Sequence, residues 1–213
     1  MIGGFLGLET IGLDMLACYW IAMDWNMNAY VFKELYESNL IASVAAEKIN
    51  DMTSERIAVD YAPPDLWNRQ KDTGKSISDI FAENKQYLTK ANNNRVAGWL
   101  ALHEWLKVFT DEQGKLASKL RIFSNCINLI RTLPAVQFDP KNFNDVATQP
   151  HELTHAPDAI RYFCGMWQLP KTKKIVLPGQ NYTPGELEDL GYVDRNTPMK
   201  SIKSQSLARR RRG

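Results

Sequence analysis

The chain is poor in the residues that build metal or redox sites from nitrogen and sulfur. Three His and three Cys occur in 213 residues. Cys18, Cys126 and Cys164 are odd in number, far apart and set among apolar neighbours, and none forms a Cys-x-x-Cys pair. That excludes a disulfide frame and predicts buried thiols in a reducing compartment. No apolar run is long enough to span a bilayer, the longest being 15–23. The N-terminus lacks a basic segment and Glu9 interrupts its apolar residues, which argues against a signal peptide and for a cytoplasm. A complete phosphate loop is also missing. Gly74-Lys75-Ser76 resembles the end of one, but position 69 is Arg where a glycine is needed, so the segment reads as a loop and helix cap. No internal repeat is visible.

What the chain has is apolar content for a core, 44% hydrophobic with six Trp. The formal net charge is +2, but it is unevenly spread. Residues 200–213 carry six Lys or Arg and no acid, leaving 20 basic residues against 24 acidic in the rest. The body is therefore mildly acidic and the tail basic.

Strand patterns are expected at 4–9, 16–24 and 29–36, with tight links that suggest an antiparallel meander. Helical spacing follows at 40–52, then a strand at 56–62, stopped by Pro63-Pro64. Asp65 comes immediately after. A helix at 76–83, a short strand at 87–90 and a long helix at 95–109 capped by Asn92 to Asn94 come next. Val96, Trp99, Leu100, His103 and Leu106 are expected along one side of that helix, His103 half-buried. A strand at 120–123, a helix at 125–132, a polar connection at 138–149 and a helix at about 157–168 complete the body. Residues 1–168 are read as one domain. Residues 169–213, with Pro, Gly and charge but no periodicity, are read as a loosely ordered basic tail.

Two metal chemistries compete for the stretch from His151 to Tyr162. His151-Glu152-x-x-His155 is the zinc-peptidase pattern, in which two imidazoles one helical turn apart hold Zn²⁺ and Glu152 is the base. Pro150 and Pro157 flank it, no His follows, and Glu186 or Glu188 would have to complete the site, so zinc hydrolysis is the weaker reading. The stronger is a carboxylate cluster, with oxygen ligands converging on two ions about 3.5–4 Å apart. Glu9 ends the first strand, Asp65 follows the fourth, and Asp158 opens the last long helix. Three acids at these points, in a strand-strand-strand-helix-strand order, match the layout of RNase H-like nucleases.

Motifs over residues 7–165 carry a family resemblance. They are Gly-Leu-Glu-Thr-Ile-Gly-Leu-Asp at 7–14, Tyr-Trp-Ile-Ala-Met-Asp at 19–24, and Ala-Tyr-Val-Phe-Lys-Glu-Leu-Tyr at 29–36. Tyr-Ala-Pro-Pro-Asp-Leu-Trp at 61–67, Asn-Arg-Val-Ala-Gly-Trp at 94–99, Asn-Cys-Ile-Asn-Leu-Ile-Arg-Thr-Leu-Pro at 125–134 and His-Ala-Pro-Asp-Ala-Ile-Arg-Tyr at 155–162 complete the set. The chain resembles the C-terminal nuclease domain of the large terminase subunit of tailed bacteriophages. The resemblance implies an α/β RNase H-like fold, a mixed central sheet flanked by helices. It also implies a Mg²⁺- or Mn²⁺-dependent endonuclease that uses two divalent ions to cut concatemeric double-stranded DNA during packaging.

It implies Glu9, Asp65 and Asp158 as catalytic metal ligands, with Asp14, Asp60 and His155 as second candidates. The family usually has Asp at the position of Glu9, and the extra methylene shifts the carboxylate by about an ångström, enough to attenuate a rate that depends on placement. The family's second acid commonly stands where this chain has Pro63. Asp65 is preferred for that role and Asp60 is the fallback. Asp158→Ala is expected to abolish cleavage and leave the fold intact.

Arg69, Lys71, Lys75, Asn94 and Arg95 are candidate DNA contacts, or simply solvated loop charges. The run Arg209 to Arg212 is a salt-sensitive DNA contact, a partner-binding tail or a solubilising end. The implied partners in a full-length protein are an ATPase domain, a small terminase subunit and a portal, in the cytoplasm of a bacterial host and with no membrane. A DNA- or portal-docking module, disabled by Glu9, is the non-enzymatic alternative.

Overall fold

In the computed structural model, residues 3–9, 15–167 and 169 are described, with the backbone alone for 3–9 and 144. Strand β1 (Gly3–Glu9) runs antiparallel to β2 (Met15–Met23), and β2 antiparallel to β3 (Ala29–Ser38). Helix α1 (Ala42–Met52) then carries the chain across to β4 (Ile57–Ala62), which lies parallel to β1. Pro63 and Pro64 end β4 and open a 3-10 turn, Pro64–Trp67, because neither residue can donate to the ladder. Helix α2 (Ile77–Glu83) and β5 (Leu88–Lys90), parallel to β4, complete this side.

Helix α3 (Arg95–Leu106) is followed by a hairpin of β6 (Phe109–Thr110) and β7 (Leu116–Ala117), then β8 (Leu120–Ile122), parallel to β3. Helix α4 (Ile127–Thr132), a hairpin of β9 (Phe138–Asp139) and β10 (Asn142–Val146), and α5 (His155–Met166) follow. The main sheet has the order β5-β4-β1-β2-β3-β8. The expected antiparallel meander is present, and α1 leads from it to β4 as a crossover.

Alternation along β2 sends side chains into two cores. Ala17, Tyr19 and Ile21 pack with Trp99, Leu102 and Trp105 of α3 and Ala159, Ile160 and Phe163 of α5. Leu16, Cys18 and Trp20 pack on the other face with Ala45, Ala46 and Ile49 of α1 and Phe81 of α2. A strand buried on both faces reads as a continuous apolar run. All three cysteines are free and buried. Burial pushes the Cys126 thiol up to about 11 and holds Cys18 and Cys164 well above the usual thiol range. Among the described residues no helix is long and apolar enough to cross a membrane.

Several sequence expectations shift. The buried side of α3 is Gly98, Trp99, Leu102 and Trp105, while Leu100 is 62% exposed and His103 lies in solvent. The helix rolls because Gly98 admits α5 closely and the two Trp rings fill the space beside it. The polar connection at 138–149 contains the β9–β10 hairpin. Its Phe138 and Phe143 are exposed, so it lacks the buried alternation by which a strand is recognised. The expected loose tail lies outside the described residues apart from Leu169.

Candidate active site

The C-terminal ends of the parallel strands β1 and β4 lie side by side, with Gly7 in register with Tyr61. On the other side of β1, Glu9 pairs with Ala17, and Ala17 pairs with Tyr36 of β3. Paired residues share a face of a sheet, so position 9 belongs to the row of Ala17, which faces α3 and α5. The Tyr36 hydroxyl donates to the carbonyl of Glu152 at 3.2 Å, tying the approach to α5 to the end of this row. At the far end of α5 the indole of Trp167 donates to the Tyr61 hydroxyl at 3.0 Å. Helix α5 is thus pinned across the sheet at both ends.

Asp158 lies in the first turn of α5 and is 5% exposed. Its Oδ1 accepts from Arg161 Nε at 2.6 Å, and its Oδ2 lies 3.5 Å from Arg95 Nη1. Arg161 is 1% exposed, and its guanidinium stacks on Tyr162 at 4.3 Å and faces Trp99 at 5.7 Å. Gly98 makes room for it: a Cβ there would stand 2.8 Å from Arg161 Cγ. Arg95, at the start of α3, also donates through Nε to both oxygens of Asp145 at 3.3 Å and through Nη2 to the Val146 carbonyl at 3.2 Å. Desolvation pulls its pKa down, but the Asp158 and Asp145 charges outweigh that and raise it. Arg161 stands three residues after Asp158, a helical neighbour that spacing alone identifies. Asp145 gave no such signal, because its hairpin lacks periodicity.

The remaining candidates are dispersed. Asp65 is exposed in the 3-10 turn beyond β4. Asp60 shares its row with Leu6 and Trp20, placing it on the α1 face, across the sheet from the row of position 9. Burial pushes its carboxyl up to about 6, partly offset by the neighbouring Gln86 side chain. Asp14 lies outside the described residues, as does the side chain of Glu9. His155 opens α5 and is 9% exposed. His151 sits in a separate 3-10 turn, with its ring stacked 6.2 Å from that of His155. The two imidazoles therefore do not share the single helix that His-Glu-x-x-His chemistry requires. Among the described residues, no three His, Cys, Asp or Glu side chains gather as a metal group.

Of the basic candidates, Arg69 donates to the Gly74 carbonyl at 3.1 Å and Lys75 pairs with Glu83 at 2.6 Å, both exposed. Lys71 is exposed. The Asn94 side chain caps α3 by accepting from the Ala97 amide at 3.1 Å. Arg95 is committed to the two carboxylates.

No family model matches the chain, and no curated protein does. Solved structures do. The large terminase of a thermophilic bacteriophage, in complex with ATP-gamma-S, aligns with a TM-score of 0.58 and 14% identity over 76% of this chain and 39% of that one. The P22 large terminase nuclease domain aligns with a TM-score of 0.58 and 14% identity over 77% of this chain and 80% of that domain. The chain thus spans about two fifths of the length of the thermophilic phage protein it matches. These likenesses are of fold: a mixed α/β architecture of the RNase H-like kind shared with terminase nuclease domains.

Proposed function

We propose that this chain is a metal-dependent endonuclease domain of the phage large-terminase type, cutting double-stranded DNA during genome packaging. The observation that carries the reading is the shared end of the sheet. The register brings the last residue of β1 beside the end of β4, and the Tyr36 hydroxyl holds the approach to α5 over the same row. Glu9 ends β1, Asp65 lies in the 3-10 turn that follows β4, and Asp158 is in the first turn of α5.

The donor set suits a divalent ion. Carboxylates are hard oxygen ligands of the kind Mg²⁺ and Mn²⁺ prefer. Among the described residues Asp158 Oδ2 has only the 3.5 Å contact to Arg95, longer than a charge-assisted hydrogen bond of about 2.7–2.9 Å, so it retains ligand capacity. We assign Asp158 as one ligand, with Glu9 and Asp65 as the others. Bound ions would supply an activated water and stabilisation of the leaving oxygen. Asp158 is held in one rotamer by Arg161, and Arg69, Lys71 and Lys75, in the loop beyond Asp65, would meet phosphates without reading bases. In a longer protein, an ATPase domain would drive translocation, with a small subunit and portal as partners in the host cytoplasm.

The test is cleavage of supercoiled plasmid by the chain with Mn²⁺ or Mg²⁺. Cleavage that requires the metal, stops with chelator and is lost in Asp158→Asn is expected. Metal-independent cleavage, or cleavage that survives Asp158→Asn, overturns the reading.

A further inference from the structure

The four charges around Asp158 balance without any metal. Asp158 and Asp145 supply two negative charges, and Arg95 and Arg161 two positive ones. A divalent cation on Asp158 Oδ2 would meet like charge from Arg95 Nη1, 3.5 Å from that oxygen, and from the Arg161 guanidinium on Oδ1, whatever charge Glu9 and Asp65 bring to the ion. Geometry decides which guanidinium gives way. Arg161 is 1% exposed, makes the 2.6 Å bond, is wedged against Gly98 and stacks on Tyr162. Its Nη1 is buried and has no hydrogen-bond partner among the described residues. Arg95 is different. Its side chain is 29% exposed, its contact with Asp158 is 3.5 Å, and its Nε already rests on Asp145 of β10.

We propose that Arg95 is a charge placeholder for Asp158: it neutralises the carboxylate while no metal is bound and withdraws onto Asp145 when a divalent cation takes its place. Asp145 is then a positioning residue that acts only through Arg95. This rests on the reading of Asp158 as a metal ligand. The arrangement sets metal affinity by competition between one guanidinium and the incoming ion. It also couples the β9–β10 hairpin to the occupancy of Asp158, because Arg95 is held to that hairpin through Asp145 and the Val146 carbonyl.

The two partners of Arg95 predict opposite signs. Removing the placeholder favours the ion: Arg95→Gln should tighten Mn²⁺ binding by about tenfold, the size expected for one charge acting on a divalent ion across several ångströms of wet protein. Removing its resting place disfavours the ion: Asp145→Asn keeps both arginines and should weaken Mn²⁺ binding severalfold. Binding is read on the full chain by titration calorimetry and by the electron paramagnetic resonance signal of free Mn²⁺, without DNA. Near-ultraviolet circular dichroism checks that each variant is folded, and the Asp145→Asn arm decides the matter alone if Arg95→Gln is not.

Unchanged or weaker binding in folded Arg95→Gln overturns the placeholder role, as does unchanged or tighter binding in Asp145→Asn. Asp158→Asn separates the two levels. If the wild-type chain binds no Mn²⁺ that this variant loses, the metal-ligand reading itself fails, and the placeholder role with it. If that binding is present but the opposed shifts are absent, only the placeholder role fails.

Discussion

Arg161 Nε lies 2.6 Å from Asp158 Oδ1, an ion pair between side chains three residues apart on one helix and buried at 1% and 8% side-chain exposure. The pair decides how the proposed site has to be probed. Asp158→Ala, expected from the sequence to spare the fold, would leave the Arg161 guanidinium buried and uncompensated, at a cost of about 3–5 kcal/mol. Asp158→Asn keeps an oxygen acceptor in the same place.

Both variants should abolish metal-dependent cleavage, but the alanine variant should also melt far lower than the asparagine variant. Thermal denaturation alongside plasmid cleavage tests this. Equal melting temperatures would mean that the oxygen acceptor kept by asparagine contributes nothing once the carboxylate charge is gone.

Gly98→Ala should destabilise the chain without touching any proposed ligand. The new Cβ would meet Arg161 Cγ at 2.8 Å and Cδ at 3.2 Å, and Arg161 is too buried to move aside. Overpacking of this kind costs about 1–3 kcal/mol, which for a chain of this size lowers the melting temperature by about 2–4 °C per kcal/mol. An unchanged melt would show that α3 and α5 part easily.

Asp60 should make stability fall as pH rises. Its folded carboxyl is pushed up to about 6 from an ordinary 3.8, because burial disfavours the charge. Below about pH 4 both states hold the proton. Between there and about pH 6 the unfolded chain has released it while the folded one retains it, so stability is lost over that window. The loss is at most about 3 kcal/mol. Asp60→Asn lacks this titration, so the stability difference between variant and wild type should grow in the variant's favour across the window. Denaturant melts at stepped pH measure it.

Glu9→Asp should raise the metal-dependent cleavage rate by about tenfold or more, because misplacement of a reacting group by about an ångström can cost about a hundredfold. No gain in rate would remove the attenuation reading and leave glutamate as an equally good ligand at this position.

The sheet was legible because its strands announce themselves chemically. Residues 15–23 are apolar throughout since β2 is buried on both faces, and the paired prolines after Ala62 can only end a strand. The break between His151 and His155 was legible too, from Pro150 and Pro157, and it made zinc the weaker reading. The hairpin at 138–146 was not, because its Phe138 and Phe143 are exposed and, among its described residues, Val146 alone reaches the core, which leaves no period in the sequence.

The amino-acid order by itself determined which segments form strands, that the first three make a meander, where proline ends a strand and which acids stand at strand ends. Those are local matters of alternation, backbone donors and chain spacing. Only the tertiary structure decided that Asp60 falls on the opposite face from the row of position 9. Only it gave Asp158 a second guanidinium beside that of Arg161, from Arg95 at the start of α3. Register and helix packing set these relationships, through contacts between residues more than 60 positions apart, as with Arg95 and Asp158, and such contacts leave no period along the chain.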